Sequence, residues 1–117
     1  MIIMIQEEEF DYVEESNYLD SFYPTHPGAV IKEELEFRGI SQRALAKAIG
    51  EPPSKLNEVL NARRQLCADM ALLIGKALGM DAVPLLEMQM KFNLLSAKRK
   101  KKVMKRLKII RNITATT

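Results

Sequence analysis

Ser54, Glu58 and Asn61 recur at intervals of four and three residues, with Lys55 and Asn57 beside them. On an α-helix that spacing gathers them on one face. Hydroxyl, amide and carboxylate groups on short side chains are the donors and acceptors that tell base edges apart in a DNA major groove, where a Glu accepts from a cytosine amino group. Between them, Leu56, Val59 and Leu60 sit at i, i+3 and i+4. They pin the same helix to its neighbours, which obliges the polar set to point outward. That is the chemistry of recognition. Catalysis has little to work with: His26 is the single histidine, and no glycine-rich phosphate cradle or nucleophile motif is present. Cys67 cannot by itself build a thiolate zinc site. The chain reads as a non-enzyme without cofactor or metal.

A reading face needs elements that thrust it out. Ser41 is a good N-cap, and Ile40 with Leu45 forms a hydrophobic staple that sets the angle of a helix over Gln42–Ile49. Gly50 ends that helix. Pro53 suits the first turn of the next, because its missing N–H would be unpaired there in any case, and this helix runs to about Asn61. Two short helices joined by a glycine turn, the second bare on its outer face, form a helix-turn-helix. An ordinary helical hairpin is the competing reading, but its outer face would more often carry long charged side chains.

Upstream, Val30, Ile31 and Leu35 give Ala29–Arg38 an apolar stripe, closed by Gly39 at the left-handed cap position. Downstream, a helix from about Asp69 to Leu78 carries Met70, Leu72, Leu73, Ile74 and Leu78 around almost every azimuth. A helix apolar all round is expected to be buried, in the core or in a subunit contact. Asp81 caps a fifth helix with Pro84 in its first turn, and Leu85, Met88, Phe92 and Leu95 follow at helical spacing. Val103, Leu107 and Ile110 repeat the pattern behind Lys98-Arg99-Lys100-Lys101-Lys102. This tail is either an amphipathic helix, a nucleic-acid arm, or a solvated basic end.

The 117 residues suffice for one core, and the net charge of +3 hides an asymmetry. Glu7, Glu8, Glu9, Asp11, Glu14, Glu15 and Asp20 precede any Lys or Arg, so the chain from Gly28 onward carries +10. An acidic arm is joined to a basic body, a balance that suits nucleic acid. The lone Cys67 fits a reducing cytoplasm and is expected as a small buried side chain at a helix start. No apolar run approaches the ~20 residues of a membrane span, and Met1 to Ile5 is too short for a signal-peptide core.

His26-Pro27-Gly28, Ser41-Gln42, Leu45-Ala46, Gly50, Leu56-Asn57-Glu58-Val59-Leu60-Asn61, Ala68-Asp69, Ala71-Leu72 and Ala77-Leu78-Gly79 together resemble the HigA/VapI-type antitoxins of the Xre (phage-repressor-like) helix-turn-helix superfamily. The likeness spans roughly Pro24 to Lys98. Cys67, Leu73 and Leu85 depart from it, standing where the family usually has a Thr or Ser cap, an Arg and a Trp. The resemblance implies an all-α, five-helix lambda-repressor-like DNA-binding domain over residues 24–97. An acidic N-terminal arm (1–23) and a basic C-terminal helical extension (98–117) flank it. It also implies a homodimer on double-stranded operator DNA and a RelE-like, mRNA-cleaving toxin as partner, a basic protein that the acidic arm would suit. By the same resemblance Gln42, with Arg43 next to it, binds a phosphate and braces the second helix. Pro53, Ser54, Lys55, Asn57 and Glu58 lie over bases, and Asn61, Arg63 and Arg64 meet the DNA backbone or a minor groove. A stand-alone Xre repressor without a toxin, and an interaction module that has lost DNA binding, are the alternatives.

Overall fold

The computed structural model describes residues 25–116; the acidic arm at 1–23 lies outside the described residues. Six α-helices follow one another: α1 Pro27–Arg38, α2 Gln42–Ile49, α3 Pro53–Leu60, α4 Ala68–Leu78, α5 Ala82–Lys98 and α6 Lys101–Ile109, before a 3-10 turn at Ile113–Thr116. No strand occurs among the described residues. The chain divides into two compact units, one from Thr25 to Phe92 and one holding the described residues from Asn93 onward.

In the first unit, α1 begins two residues before the expected Ala29, because His26 is itself a cap. Its backbone is extended, and its Nδ1 accepts a hydrogen bond from the Gly28 N–H at 2.9 Å. Pro27 then fills the first helical position with a fixed φ and no N–H to satisfy. Gly28 allows a contact that no other residue could make: a Cβ there would lie 2.0 Å from the Val59 carbonyl oxygen and 3.0 Å from the Leu60 Cα. The start of α1 therefore rests backbone to backbone on the end of α3. At the far end Gly39 adopts φ +68° and the Ile40 N–H donates to Leu35 O at 2.9 Å, closing a Schellman turn.

His26 is buried, and its ring meets Phe92 edge-on at 5.0 Å. Burial holds its pKa below the ordinary 6.5, opposed by a hydrogen bond to the Arg64 backbone. A protonated ring would also lose the Nδ1 acceptor that caps α1. The unfolded chain takes up this proton first. Stability from His26 is thus complete above about pH 6.5 and declines as pH falls through the lower folded value. The free energy of unfolding in urea should therefore fall as pH drops below about 6.5 toward that lower value. In His26→Gln, which keeps an acceptor without a titrating group, that slope should flatten; an equal slope in the variant would assign it elsewhere.

α3 packs on α1 and α2, and α2 on α4. Between them Ile31, Leu35, Leu45, Leu56, Val59, Leu60, Leu66, Met70, Ile74 and Leu85 form the core. Buried Gln89 takes the Leu66 N–H on its Oε1 at 2.8 Å, so the loop before α4 is tied to α5 by a satisfied polar pair. Arg38 binds Glu34 and donates from Nη1 to Leu78 O at 2.7 Å, placing a cation at the C-terminal end of α4 where the helix dipole favours it.

Two expectations are corrected here. Cys67 is exposed; it stands in the extended N-cap position of α4 without a side-chain cap bond, while its neighbour Leu66 takes the buried place. Nor does α4 disappear into the core. Met70, Ala71, Ile74 and Leu78 are buried, but Leu72 is 64% and Leu73 41% exposed, because the stripe facing α2 already fills the available space. In the second unit α6 forms behind the lysine run as an exposed basic helix. No described helix is long and apolar enough to cross a membrane.

Candidate nucleic-acid interface

The Ser41 hydroxyl accepts from the Ala44 N–H at 3.0 Å and fixes the start of α2. At its end Gly50 takes φ +72° and the Glu51 N–H donates to Ala46 O at 3.0 Å. The left-handed glycine reverses the chain, and Pro52 and Pro53 bring it directly into α3. Because Leu56, Val59 and Leu60 are buried on one side of α3, the opposite side holds exposed Ser54 and Asn57, with Glu58 half-buried at its edge. Gln42, Arg43, Pro53, Ser54, Asn57 and Glu58 line one open depression of about 540 Å3. Six of the ten residues expected to meet DNA are thus brought together by two helices on a single surface.

The interactions within this surface show how it is held. The Asn57 Nδ2 donates to Gln42 Oε1 at 3.0 Å, so the first turn of α2 braces α3 as expected. Because the Gln42 oxygen is the acceptor in this pair, its amide group keeps its two N–H donors. The remaining four residues do not line the depression. Lys55 reaches back to Glu51 at 3.0 Å. Asn61, just past the end of α3, takes the Lys32 ammonium on its Oδ1 at 3.2 Å and donates from Nδ2 to Asn57 O at 2.9 Å. Arg64 places Nε and Nη2 on one Glu58 oxygen, at 3.1 and 2.8 Å. Arg63 is exposed beside them.

Taken alone, Glu58 is a liability on an anion-binding face. Its pairing with Arg64 removes the bare negative charge, while its second oxygen keeps acceptor capacity toward a base amino group. The pair has no helical spacing to betray it: six residues separate the partners, and Ala62 between them adopts φ +60°. Lys32 escapes a reading by spacing for a similar reason, since it lies on α1, 29 residues from Asn61. Glu51 and Lys55 do have i,i+4 spacing, but two prolines between them hide it. Among the described residues no group of three or more His, Cys, Asp or Glu side chains is placed to hold a metal ion.

No family model matches the chain. It is 40% identical over 77 residues to virulence-associated protein I of Dichelobacter nodosus, covering 65% of this chain and 71% of that protein. An addiction module antidote protein of the HigA family from Coxiella burnetii is 30% identical, with a TM-score of 0.69 over 78% of this chain and 99% of that one. The antitoxin HigA of Pseudomonas aeruginosa, solved with the higBA promoter, is 27% identical and gives a TM-score of 0.69 over the same shares.

Proposed function

This chain belongs to the HigA/VapI-type antitoxins of the Xre helix-turn-helix superfamily and is not an enzyme, and from that premise we propose that it represses its own operon and neutralises a RelE-like toxin. The observation that carries the DNA half is the single surface of Gln42, Arg43, Pro53, Ser54, Asn57 and Glu58. It has the donors and acceptors of base readout on α3 and a positioning amide on α2. Support for operator binding also comes from the Pseudomonas aeruginosa antitoxin HigA solved with its promoter.

The active form is a two-fold dimer, which would set its recognition helices about 34 Å apart on a palindromic operator. Exposed Leu72, Val83 and Met90, at 64%, 59% and 62%, supply apolar surface for such a contact. The DNA-binding domain is assigned to residues 24–97, between the acidic arm and the basic extension, and the compact unit from Thr25 to Phe92 falls within it.

The toxin half is tested by expressing the small reading frame adjacent to this gene, alone and together with this chain. The neighbour alone should arrest growth, and this chain should restore growth and co-purify with it. A harmless neighbour that does not bind would leave a stand-alone Xre repressor.

A further inference from the structure

α6 gathers a surface that the DNA face does not use. Val103, Leu107 and Ile110 lie along one side of it and, with Arg106 and Ile109, line an open depression of about 410 Å3. Leu107, Ile109 and Ile110 are 45%, 78% and 67% exposed. Around them stand Lys101, Lys102, Lys105, Lys108 and Arg111, and no acidic residue follows Glu87 in the chain. A DNA backbone would satisfy the cations but leave the leucine and isoleucines in water. The surface fits a partner that is acidic and apolar at once.

Residues 1–23 have that chemistry. They hold seven acids, no Lys or Arg, and Phe10, Tyr12, Tyr18, Phe22 and Tyr23 interleaved with them. We propose that in the free protein this acidic, aromatic arm docks on the basic apolar face of α6 in its own chain. Carboxylates would meet the lysines, and aromatic rings would cover Leu107 and Ile110. Reach is no obstacle: an extended arm of this length spans roughly 75 Å, several times the ~13 Å radius of gyration of a folded chain of about this size. The tether also favours the chain's own arm, because it supplies an effective concentration on the order of millimolar. An untethered second copy at micromolar concentration cannot match that. The docking does not depend on the toxin reading, but a basic partner would compete with α6 for the same carboxylates.

The chain carries its own reporter. It has no Trp, and its three Tyr are Tyr12, Tyr18 and Tyr23, all in the arm, so tyrosine fluorescence of the unlabelled full chain reads the arm alone. Acrylamide should quench it about two- to threefold less in the full chain than in a peptide of residues 1–23 at low salt, since docked rings are shielded. The double variant Leu107→Ser, Ile110→Ser keeps every charge and alters only exposed positions, so its helical circular dichroism should be unchanged. Its quenching should nevertheless rise to the peptide value. Full-chain quenching equal to the peptide's would overturn the docking, and binding of the same sample to phosphatidylglycerol vesicles would then give the face to lipid. Protection that survives in the double variant would place the arm elsewhere, and protection that vanishes on hundredfold dilution would assign it to a second copy.

Discussion

Gly28→Ala should be among the most destabilising single-methyl changes this chain can suffer. The added carbon would sit 2.0 Å from the Val59 carbonyl oxygen and 3.0 Å from the Leu60 Cα, and neither atom belongs to a side chain that could swing away. Relief requires α1 to separate from α3, which disturbs Ile31 and Leu56, both fully buried. Overpacking usually costs ~1–3 kcal/mol, and a backbone clash belongs at or beyond the upper end. For a body of this size that corresponds to a fall in Tm of roughly 15 °C. Gly39→Ala is the control. Its φ of +68° is left-handed but nothing lies within 4 Å of the new carbon, so its cost is the ~1–2 kcal/mol of forcing a Cβ into that conformation. Thermal unfolding followed by circular dichroism checks both. If Gly28→Ala melted no lower than Gly39→Ala, α1 and α3 would not be in backbone contact.

The same glycine illustrates what is legible in the sequence. His26-Pro27-Gly28 is visible there as punctuation, but its physical content, a cap, a helix start and a close approach, needs α3 in place to be seen. The bounds of α2 are readable to the residue because Ser41 and Gly50 are explicit caps whose geometry depends on local chain alone. The polar face of α3 is readable for a similar reason: the period of its buried leucines fixes the opposite side. Spacing fails where the chain leaves a regular path. Glu58 meets Arg64 across a left-handed Ala62, and no periodicity forecasts that. Leu72 and Leu73 defy the expected burial because hydrophobic type states a preference, not whether this chain alone can satisfy it. Cys67 does so in the same way, since a small side chain in a cap position is placed by the backbone and not by its own polarity.

The pairing of Glu58 with Arg64 also shapes the largest expected effect of solution conditions. A dimer touching ~6–10 phosphates should lose about 10³–10⁵ in operator affinity between roughly 50 and 200 mM salt, as condensed counterions are released on binding. Individual residues should divide that behaviour. Arg63 is exposed, so Arg63→Ala should weaken operator and unrelated DNA alike and reduce the logarithmic salt slope by about two, one phosphate per subunit. Arg64 is held by Glu58 at 2.8 Å, and a phosphate must displace that carboxylate before it gains the guanidinium. Arg64→Ala should therefore change the slope less than Arg63→Ala, and Glu58→Gln, which releases Arg64, should raise affinity for both DNAs. Ser54→Ala with Asn57→Ala should leave the slope intact and erase discrimination, at ~1–3 kcal/mol for each base no longer read. Fluorescence anisotropy against operator and scrambled duplexes over a salt series measures all of these together. A flat salt dependence in the parent chain would defeat the repressor reading at its root, whereas unchanged discrimination in the Ser54, Asn57 variant would move the reading face off the depression between α2 and α3.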